Sequence, residues 1–195
     1  MTPLALLRHF PTDWNGERRL QGRVDRPLTE AARAALATLA PPPRWRRARV
    51  FASPLSRARE TAEALWPLVE TDPRLIELAW GDWEGRSIDA LLADPASGYV
   101  PFERWGWERR PPGGESPADA WARVAPLLAE IAAAGRPTVL VAHRGLMRVI
   151  LARAWGWAFE GPEPFAIKRG RLSPLALDAA GRPSAPEPPE RLVER

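Results

Sequence analysis

Short apolar runs alternate with longer amphipathic stretches along most of the chain. The short runs end at polar or glycine-rich positions and predict buried strands, whereas apolar residues at helical spacing predict helices between them. The predicted strands are 4–7, 50–52, 75–78, 138–142, 165–168 and 172–177, the last two meeting near Gly170. The predicted helices are 29–40, 55–65, 118–134 and 145–155.

Capping residues mark several of the predicted helix ends. Ser53-Pro54 and Ser116-Pro117 each offer a hydroxyl for the N-cap and a proline for the first helical position. Gly135 lies where a C-cap is expected, after a helix that tolerates an internal proline.

The alternation of strands and helices predicts an α/β protein, a three-layer αβα sandwich with a mostly parallel central sheet. We expect one domain over residues 1–180 and a flexible tail over residues 181–195, which are rich in proline and glutamate. Within the domain, residues 94–115 are irregular and carry tryptophan beside arginine, and we interpret them as a lid.

Composition narrows the class of protein. The 195 residues include 28 basic and 24 acidic side chains, and 45% of positions are hydrophobic, as in folded soluble proteins. No apolar run approaches the roughly 18 residues that span a bilayer, and the first ten residues lack the pattern of a secretory signal, so we expect a cytoplasmic protein without a membrane partner. The chain has no cysteine and only two histidines, which excludes disulfides and thiolate metal sites.

Two histidines follow predicted strands directly, and each lies next to an arginine. Arg8 and His9 end the first strand, and His143 and Arg144 follow the strand at 138–142. In α/β sheets ligands bind beyond the carboxyl ends of the strands, where Arg57 also lies, in the first turn of its helix. Guanidinium groups match phosphate oxygens and a neutral imidazole is a nucleophile toward phosphorus, so these residues predict a phosphate site.

Six blocks resemble, in the same order, the motifs of the histidine phosphatase superfamily, the group that includes cofactor-dependent phosphoglycerate mutase. Single blocks are weak signals, but six in family order are a specific one. The blocks are 7–15 (LRHFPTDWN), 20–29 (LQGRVDRPLT), 52–58 (ASPLSRA), 75–77 with 81–85 (LIE and GDWEG), 113–116 (GGES) and 141–145 (VAHRG).

The resemblance implies a phosphoglycerate mutase-like fold and a role for each matching residue. His9 would attack phosphorus and form a phosphohistidine, while Glu77 would protonate the leaving oxygen, with Glu84 as a competing candidate. The other implied residues hold the phosphoryl group or line the pocket: Arg8, Thr12, Asn15, Arg57, His143 and Arg144. No cofactor and no metal ion are implied.

Two positions depart from the family pattern. Phe10 replaces the glycine that usually follows the nucleophile, and Arg144 replaces the first glycine of the usual His-Gly-Gly. Glycine permits backbone conformations and close approaches that these side chains do not. Arg144 either reaches a second anionic group on the substrate or points to solvent.

The sequence thus predicts a metal-independent phosphomonoester hydrolase that acts through a phosphohistidine on a small metabolite such as ribazole phosphate, a sugar phosphate or a nucleotide. Phosphoglycerate mutase and a non-catalytic phosphate-binding regulator are the alternatives, and a homodimer is left open. A rival of another class is nucleic-acid binding through the basic, tryptophan-containing segments 44–49 and 104–110. Because residues 44–49 bridge a helix and a buried strand, a solvated basic turn is favoured there and no nucleic-acid partner is expected.

Overall fold

A computed structural model describes residues 1–195, and a seven-stranded mixed sheet lies at its centre. The strands are β1 (Thr2–Arg8), β2 (Leu39–Ala40), β3 (Arg49–Ala52), β4 (Glu70–Thr71), β5 (Thr138–Ala142), β6 (Arg171–Leu177), β7 (Pro183–Ser184), β8 (Glu190–Arg191) and β9 (Val193–Glu194). Four neighbouring strands run parallel in the order β4-β3-β5-β1, and β6 continues the sheet antiparallel to β1. The short strands β7 and β8 both pair with β6, and β2 pairs with β9 in a separate ribbon.

The sheet separates two hydrophobic cores because successive residues of each central strand face opposite sides. In β1, Leu4 and Leu6 enter one core, whereas Ala5 and Leu7 enter the other. Helices α5 (Pro117–Ala134) and α6 (Arg144–Trp155) cover the first face, and α2 (Glu30–Ala37) and α3 (Ser56–Leu65) cover the second. The predicted three-layer α/β architecture is therefore confirmed.

Six α-helices surround the sheet, and none of them combines the length and the apolarity needed to cross a bilayer. Ser116 caps α5 through its side chain, and Gly135 ends that helix in the left-handed conformation, as the sequence predicts. The helices are α1 (Asp13–Gly16), α2 (Glu30–Ala37), α3 (Ser56–Leu65), α4 (Ile88–Ala93), α5 (Pro117–Ala134) and α6 (Arg144–Trp155).

The predicted strand at 75–78 is wrong. Its first residue ends a 3-10 turn, and the backbone groups around it bond to side chains instead of a neighbouring strand. Arg123 donates to the carbonyls of Arg74 and Ile76, and the Leu78 N–H donates to the Glu77 carboxylate. The edge strand of the sheet is β4, which lies five residues earlier.

Three further local predictions are wrong. Residues 165–168 form no strand, because β1 ends at Arg8 and its antiparallel partner begins only at 171. Helix α3 begins with Leu55, not Ser53, at the N-cap. The segment 181–195, predicted to be a flexible tail, instead contributes β7, β8 and β9, and Leu192 is buried.

Candidate active site

The carboxyl ends of β1 and β5 bring the two histidines together. Beyond the last residue of β1, the His9 N–H donates to the Ala142 carbonyl at 3.0 Å and continues the ladder toward His143. The two imidazole rings lie 5.2 Å apart between centroids, and both are buried. The parallel register of the two strands therefore creates the pair.

His9 is held as a neutral nucleophile. Its Nδ1 lies 2.6 Å from the Phe10 carbonyl oxygen, which can only accept, so Nδ1 carries the proton and Nε2 keeps a free lone pair. Burial and the positive charge of Arg57 hold the pKa of His9 well below its usual value. At neutral pH the imidazole is thus unprotonated at the atom that would attack phosphorus.

His143 has the opposite tautomer. Arg57 donates from Nε to His143 Nδ1 at 3.2 Å, so the proton of a neutral His143 lies on Nε2. That Nε2 is buried and has no hydrogen-bond partner in the protein. Burial and the charge of Arg57 lower the pKa of His143 as well. A phosphoryl oxygen beside His9 would supply the acceptor that this N–H lacks.

Arg57 is fully buried, and the loop before α2 holds it in place. Its two terminal nitrogens donate to the Gly22 and Val24 carbonyls at 2.8 and 2.9 Å, and burial lowers the pKa of the guanidinium. In the same loop, Asp25 Oδ1 accepts hydrogen bonds from the backbone and the hydroxyl of Ser56, both at 2.8 Å. Asp25 therefore supplies the capping group that the sequence assigned to Ser53.

Arg8 is a second guanidinium of the site, and it is half-buried. Burial, together with the charges of Arg169 and Arg144, lowers the pKa of Arg8 to about 9. Its Nε is buried without a hydrogen-bond partner, as expected of a donor that binds an anionic ligand. Arg169, which the sequence did not predict, donates from Nε to the His9 carbonyl at 3.2 Å.

Glu77 lies against the first turn of α6, where free backbone N–H groups point at its carboxylate. Oε1 accepts from Leu78 and Leu146 at 2.9 Å, and Oε2 accepts from Gly145 at 3.1 Å. A Cβ added to Gly145 would lie 2.6 Å from Oε1, so only glycine leaves room for the carboxylate. The retained glycine after Arg144 thus positions Glu77.

Glu84, the competing candidate, occupies a different position. Its Oε1 accepts from the backbone N–H groups of Arg23 and Trp80 at 3.1 and 3.0 Å. It does not line the active-site cavity, whereas Glu77 does. Glu84 therefore holds the loop that carries Gly22 and Val24, and Glu77 is the carboxylate in contact with the site.

A cavity of about 410 Å³ opens over these groups. Thr12 and His143 are not among its lining residues. The Thr12 N–H donates to Asn15 Oδ1 at 3.0 Å, so Thr12 orients Asn15. The predicted residues that line the cavity are Arg8, His9, Asn15, Arg57, Glu77 and Arg144.

The segment 94–115 forms one wall of the cavity. Trp105 is buried and packs against Phe102 and Trp80, with ring centroids 4.6 and 5.4 Å apart. Phe102 and Trp105 belong to the hydrophobic core on this face of the sheet, and Trp107 packs against that core. Its cavity-lining residues are Tyr99, Val100, Pro101, Phe102, Glu103 and Trp105.

The cavity wall contains three further arginines that the sequence did not predict as site residues: Arg18, Arg19 and Arg148. Arg18 and Arg19 follow α1, and nothing in the local sequence distinguishes them from surface residues. Arg148 lies five residues after His143 on α6, stacks 4.9 Å from the centre of the Phe102 ring and pairs with Glu163. In total, six arginines and two glutamates line the cavity. Four of these arginines also pair with carboxylates: Arg18 with Asp89, Arg19 with Glu17, and both Arg144 and Arg148 with Glu163.

Segment 44–49 is one of the two basic segments behind the nucleic-acid alternative, and three of its residues make contacts within the chain. Trp45 is buried and is not available for stacking on a base. Arg44 pairs with Glu187 at 2.9 Å and with Glu190 at 2.5 Å, and Arg49 binds both oxygens of Glu70.

Comparisons with a protein-family model and with curated proteins show which known proteins the chain is similar to. The family model described as histidine phosphatase superfamily (branch 1) matches residues 4–184. The glucosyl-3-phosphoglycerate phosphatase of Mycobacterium tuberculosis is 36% identical over 168 residues, which cover 76% of the chain and 73% of that protein. The probable phosphoglycerate mutase GpmB of Escherichia fergusonii is 33% identical over 151 residues, covering 73% of the chain and 70% of its own length.

A solved structure gives the same result at the level of the fold. The mycobacterial glucosyl-3-phosphoglycerate phosphatase in complex with inorganic phosphate superposes with a TM-score of 0.75. The two chains share 28% sequence identity, and the match covers 100% of the present chain and 96% of the other.

Proposed function

The chain belongs to branch 1 of the histidine phosphatase superfamily and is a phosphatase, and from that premise we propose that it hydrolyses phosphomonoesters through a phosphohistidine on His9, without a metal ion. The observation that carries this proposal is the tautomer of His9, whose Nδ1 donates to the Phe10 carbonyl and leaves Nε2 free. Arginine and histidine N–H groups supply the positive charge that metal ions supply at other phosphoryl-transfer sites.

In the first step the Nε2 lone pair of His9 forms a bond to phosphorus as the ester P–O bond breaks. Arg8, Arg57 and the Nε2–H of His143 stabilise the charge on the phosphoryl oxygens, and two of these groups already have buried, unpartnered N–H donors. The leaving oxygen takes a proton from the carboxyl group of Glu77. The products of this step are an alcohol and phosphohistidine.

In the second step water attacks the same phosphorus, and the P–N bond breaks. The Glu77 carboxylate accepts a proton from that water. Inorganic phosphate is released, and free His9 is regenerated. Glu77 can serve both steps because three backbone N–H groups fix its orientation at the cavity wall. General acid–base help of this kind typically contributes about 10²- to 10⁴-fold in rate.

The first test measures inorganic phosphate released from 4-nitrophenyl phosphate with EDTA present. We expect release by the native chain and none above background by His9→Ala. Label from a ³²P-phosphomonoester, trapped by rapid denaturation in alkali, should remain on the native chain and not on the variant. Abolition by EDTA, or unchanged label on His9→Ala, would contradict the proposal.

Arg57→Gln and Arg47→Gln form a matched pair for the phosphate site. Both substitutions remove one positive charge, but Arg57 is buried in the site and Arg47 is an exposed residue. We expect kcat/KM to fall by at least roughly tenfold for Arg57→Gln and to stay unchanged for Arg47→Gln. Equal losses in the two variants would show a general charge effect.

We further propose that the substrate carries a second anionic group beside its phosphate. The reacting phosphate occupies Arg8 and Arg57, which leaves Arg18, Arg19, Arg144 and Arg148 along the remaining cavity wall. The name of the mycobacterial relatives, glucosyl-3-phosphoglycerate phosphatase, describes such a substrate, because phosphoglycerate carries a carboxylate. Arg144 would then contact substrate instead of solvent.

The pair 3-phosphoglycerate and glycerol 3-phosphate tests this second proposal, since the two esters differ by a carboxylate in place of a hydroxymethyl group. We expect a higher kcat/KM for 3-phosphoglycerate in the native chain and a reduced preference in Arg144→Gln. Product analysis of the same reactions distinguishes released phosphate from an isomerised phosphoglycerate, the product of a mutase. No preference in the native chain would contradict the second anionic subsite while leaving the phosphatase mechanism intact.

A further inference from the structure

A second pocket, of about 580 Å³, lies between α2 and the chain segments that lead into and out of the β6–β8 pair. It shares no lining residue with the active-site cavity. Phe10 and Arg169 line it and also contact His9, through the Phe10 carbonyl and the Arg169 Nε respectively. The pocket is therefore separate from the catalytic cavity and adjacent to the nucleophile.

The floor of this pocket is apolar and depends on Phe10. The Phe10 side chain is 7% exposed and packs in the core beneath α2, together with Ala32 and Leu192. Phe10 stands where the family pattern has glycine, and glycine would leave this floor without its ring. One of the two departures from the family pattern thus builds the pocket.

The rim of the pocket is cationic and uncompensated. Arg171 and Arg191 are direct partners in the antiparallel register of β6 and β8, so their side chains leave the sheet on the same face. Like charges in that arrangement destabilise a sheet unless an anion separates them. The nearby carboxylates of Glu187 and Glu190 are both paired with Arg44.

Arg169 adds a third guanidinium to the rim. Its Nη2 is buried without a hydrogen-bond partner, while its Nε is used by the His9 carbonyl. The three arginines therefore offer free donors above an apolar floor, and no carboxylate within the chain satisfies them.

We propose that this pocket binds a small organic carboxylate with an apolar body. The apolar body would cover Phe10, Ala35 and Leu192, and the carboxylate would pair with Arg171 and Arg191 in the planar geometry that guanidinium groups favour. A fully polar anion would leave the floor exposed, and an uncharged apolar molecule would leave the arginines unpaired.

Calorimetric titration of the full chain with octanoate tests the site, with inorganic phosphate present at saturating concentration to occupy the catalytic cavity. We expect one saturable octanoate site per chain and no measurable binding of acetate or octan-1-ol at the same concentrations. Ala35→Trp, which places an indole in the pocket, should abolish binding.

Two double variants with equal loss of charge isolate the role of the rim. Arg171→Gln/Arg191→Gln should weaken octanoate binding by at least roughly tenfold, whereas Arg47→Gln/Arg182→Gln, at exposed positions outside the pocket, should not change it. Absence of saturable binding, equal affinity for octan-1-ol, or equal loss in both double variants would overturn the proposal. Octanoate binding that is measured only when phosphate is omitted would also overturn it. None of these readouts depends on turnover.

Discussion

At the scale of single residues, hydrogen bonds decide which atoms are reactive. His9 and His143 have the same side chain and similar burial, but a backbone carbonyl fixes one tautomer and a guanidinium fixes the other. The first ring exposes a lone pair and the second an N–H. The sequence predicted both positions, whereas the difference between their tautomers depends on Phe10 and Arg57, whose contacts only the fold defines.

Gly145→Ala should impair turnover through Glu77. The added Cβ would meet Glu77 Oε1 at 2.6 Å, so the carboxylate must move away from the Gly145 and Leu146 N–H groups. We expect kcat on an alkyl phosphate to fall by at least roughly tenfold, within the range of general acid–base effects. Gly16→Ala, where no atom lies within 4 Å of the new Cβ, is the control and should retain full activity.

Thermal unfolding of the same variants distinguishes a displaced carboxylate from a damaged fold. Alanine favours helix over glycine by up to about 1 kcal/mol, so a cooperative melt near the native temperature is expected for Gly145→Ala. Unchanged kcat in Gly145→Ala would refute the positioning role of this glycine.

Glu77→Gln should reveal proton donation through its dependence on the leaving group. Glutamine accepts and donates hydrogen bonds but cannot protonate the departing oxygen. We expect a loss of about 10²- to 10⁴-fold for formation of phosphohistidine from an alkyl phosphate, and a much smaller loss for 4-nitrophenyl phosphate, whose leaving group needs no proton. Rapid-quench measurement of the first step with both esters checks this, and equal losses would assign the proton to another group.

At the scale of elements, a loop sets the start of α3 and the place of the arginine on it. The loop that includes Gly22 and Val24 accepts two hydrogen bonds from Arg57, and Asp25 in the same loop caps the helix. The Ser-Pro pattern predicted the helix and its approximate start, but it could not show that a carboxylate 31 residues away provides the cap. The start of α3 therefore depends on the tertiary hydrogen bond from Ser56 to Asp25 and not on the local Ser53-Pro54 sequence.

Asp25→Ala should therefore affect both stability and catalysis. Loss of a helix N-cap typically costs about 1 kcal/mol, and a shifted first turn would displace Arg57. We expect a lower free energy of unfolding in urea and a higher KM for the phosphomonoester. Ser56→Ala keeps the backbone N–H that Asp25 accepts and should have a smaller effect on both quantities. Identical effects of the two variants would show that the hydroxyl, not the cap, is responsible.

The two wrongly predicted strands share one physical origin. Residues 75–78 and 165–168 have the apolar composition of strands, but a strand requires a neighbour with free backbone groups. Side chains of Glu77 and Arg123 satisfy the first segment, and β1 ends before it could pair with the second. An apolar composition therefore does not show what the backbone of a segment bonds to.

At the scale of the whole molecule, burial of both histidines links stability to pH. The pKa values of His9 and His143 are lowered in the folded state, so between pH 6.5 and the folded pKa values the unfolded chain binds more protons. The contribution of the two histidines to the free energy of unfolding is therefore fully present above about pH 6.5. As the pH falls below this value, the contribution decreases by about 1.4 kcal/mol per histidine for each pH unit while the native ring stays neutral.

Urea unfolding at pH 7, 6 and 5 measures this dependence. The range lies above the usual pKa of exposed carboxylates, so the histidines should dominate the change. His9→Gln removes one of the two groups and should reduce the slope of free energy against pH. Equal stability of the native chain at pH 7 and pH 5 would contradict the neutral, buried state of the pair.

The central position of β1 has a consequence for synthesis on the ribosome. β1 is synthesised well before both of its partners, at 138–142 and 171–177. A nascent chain that has not reached these residues presents an apolar strand with two open edges, the kind of surface that chaperones shield and that promotes aggregation. The nucleophile at the end of β1 acquires its surroundings only after both of these partner strands have been made.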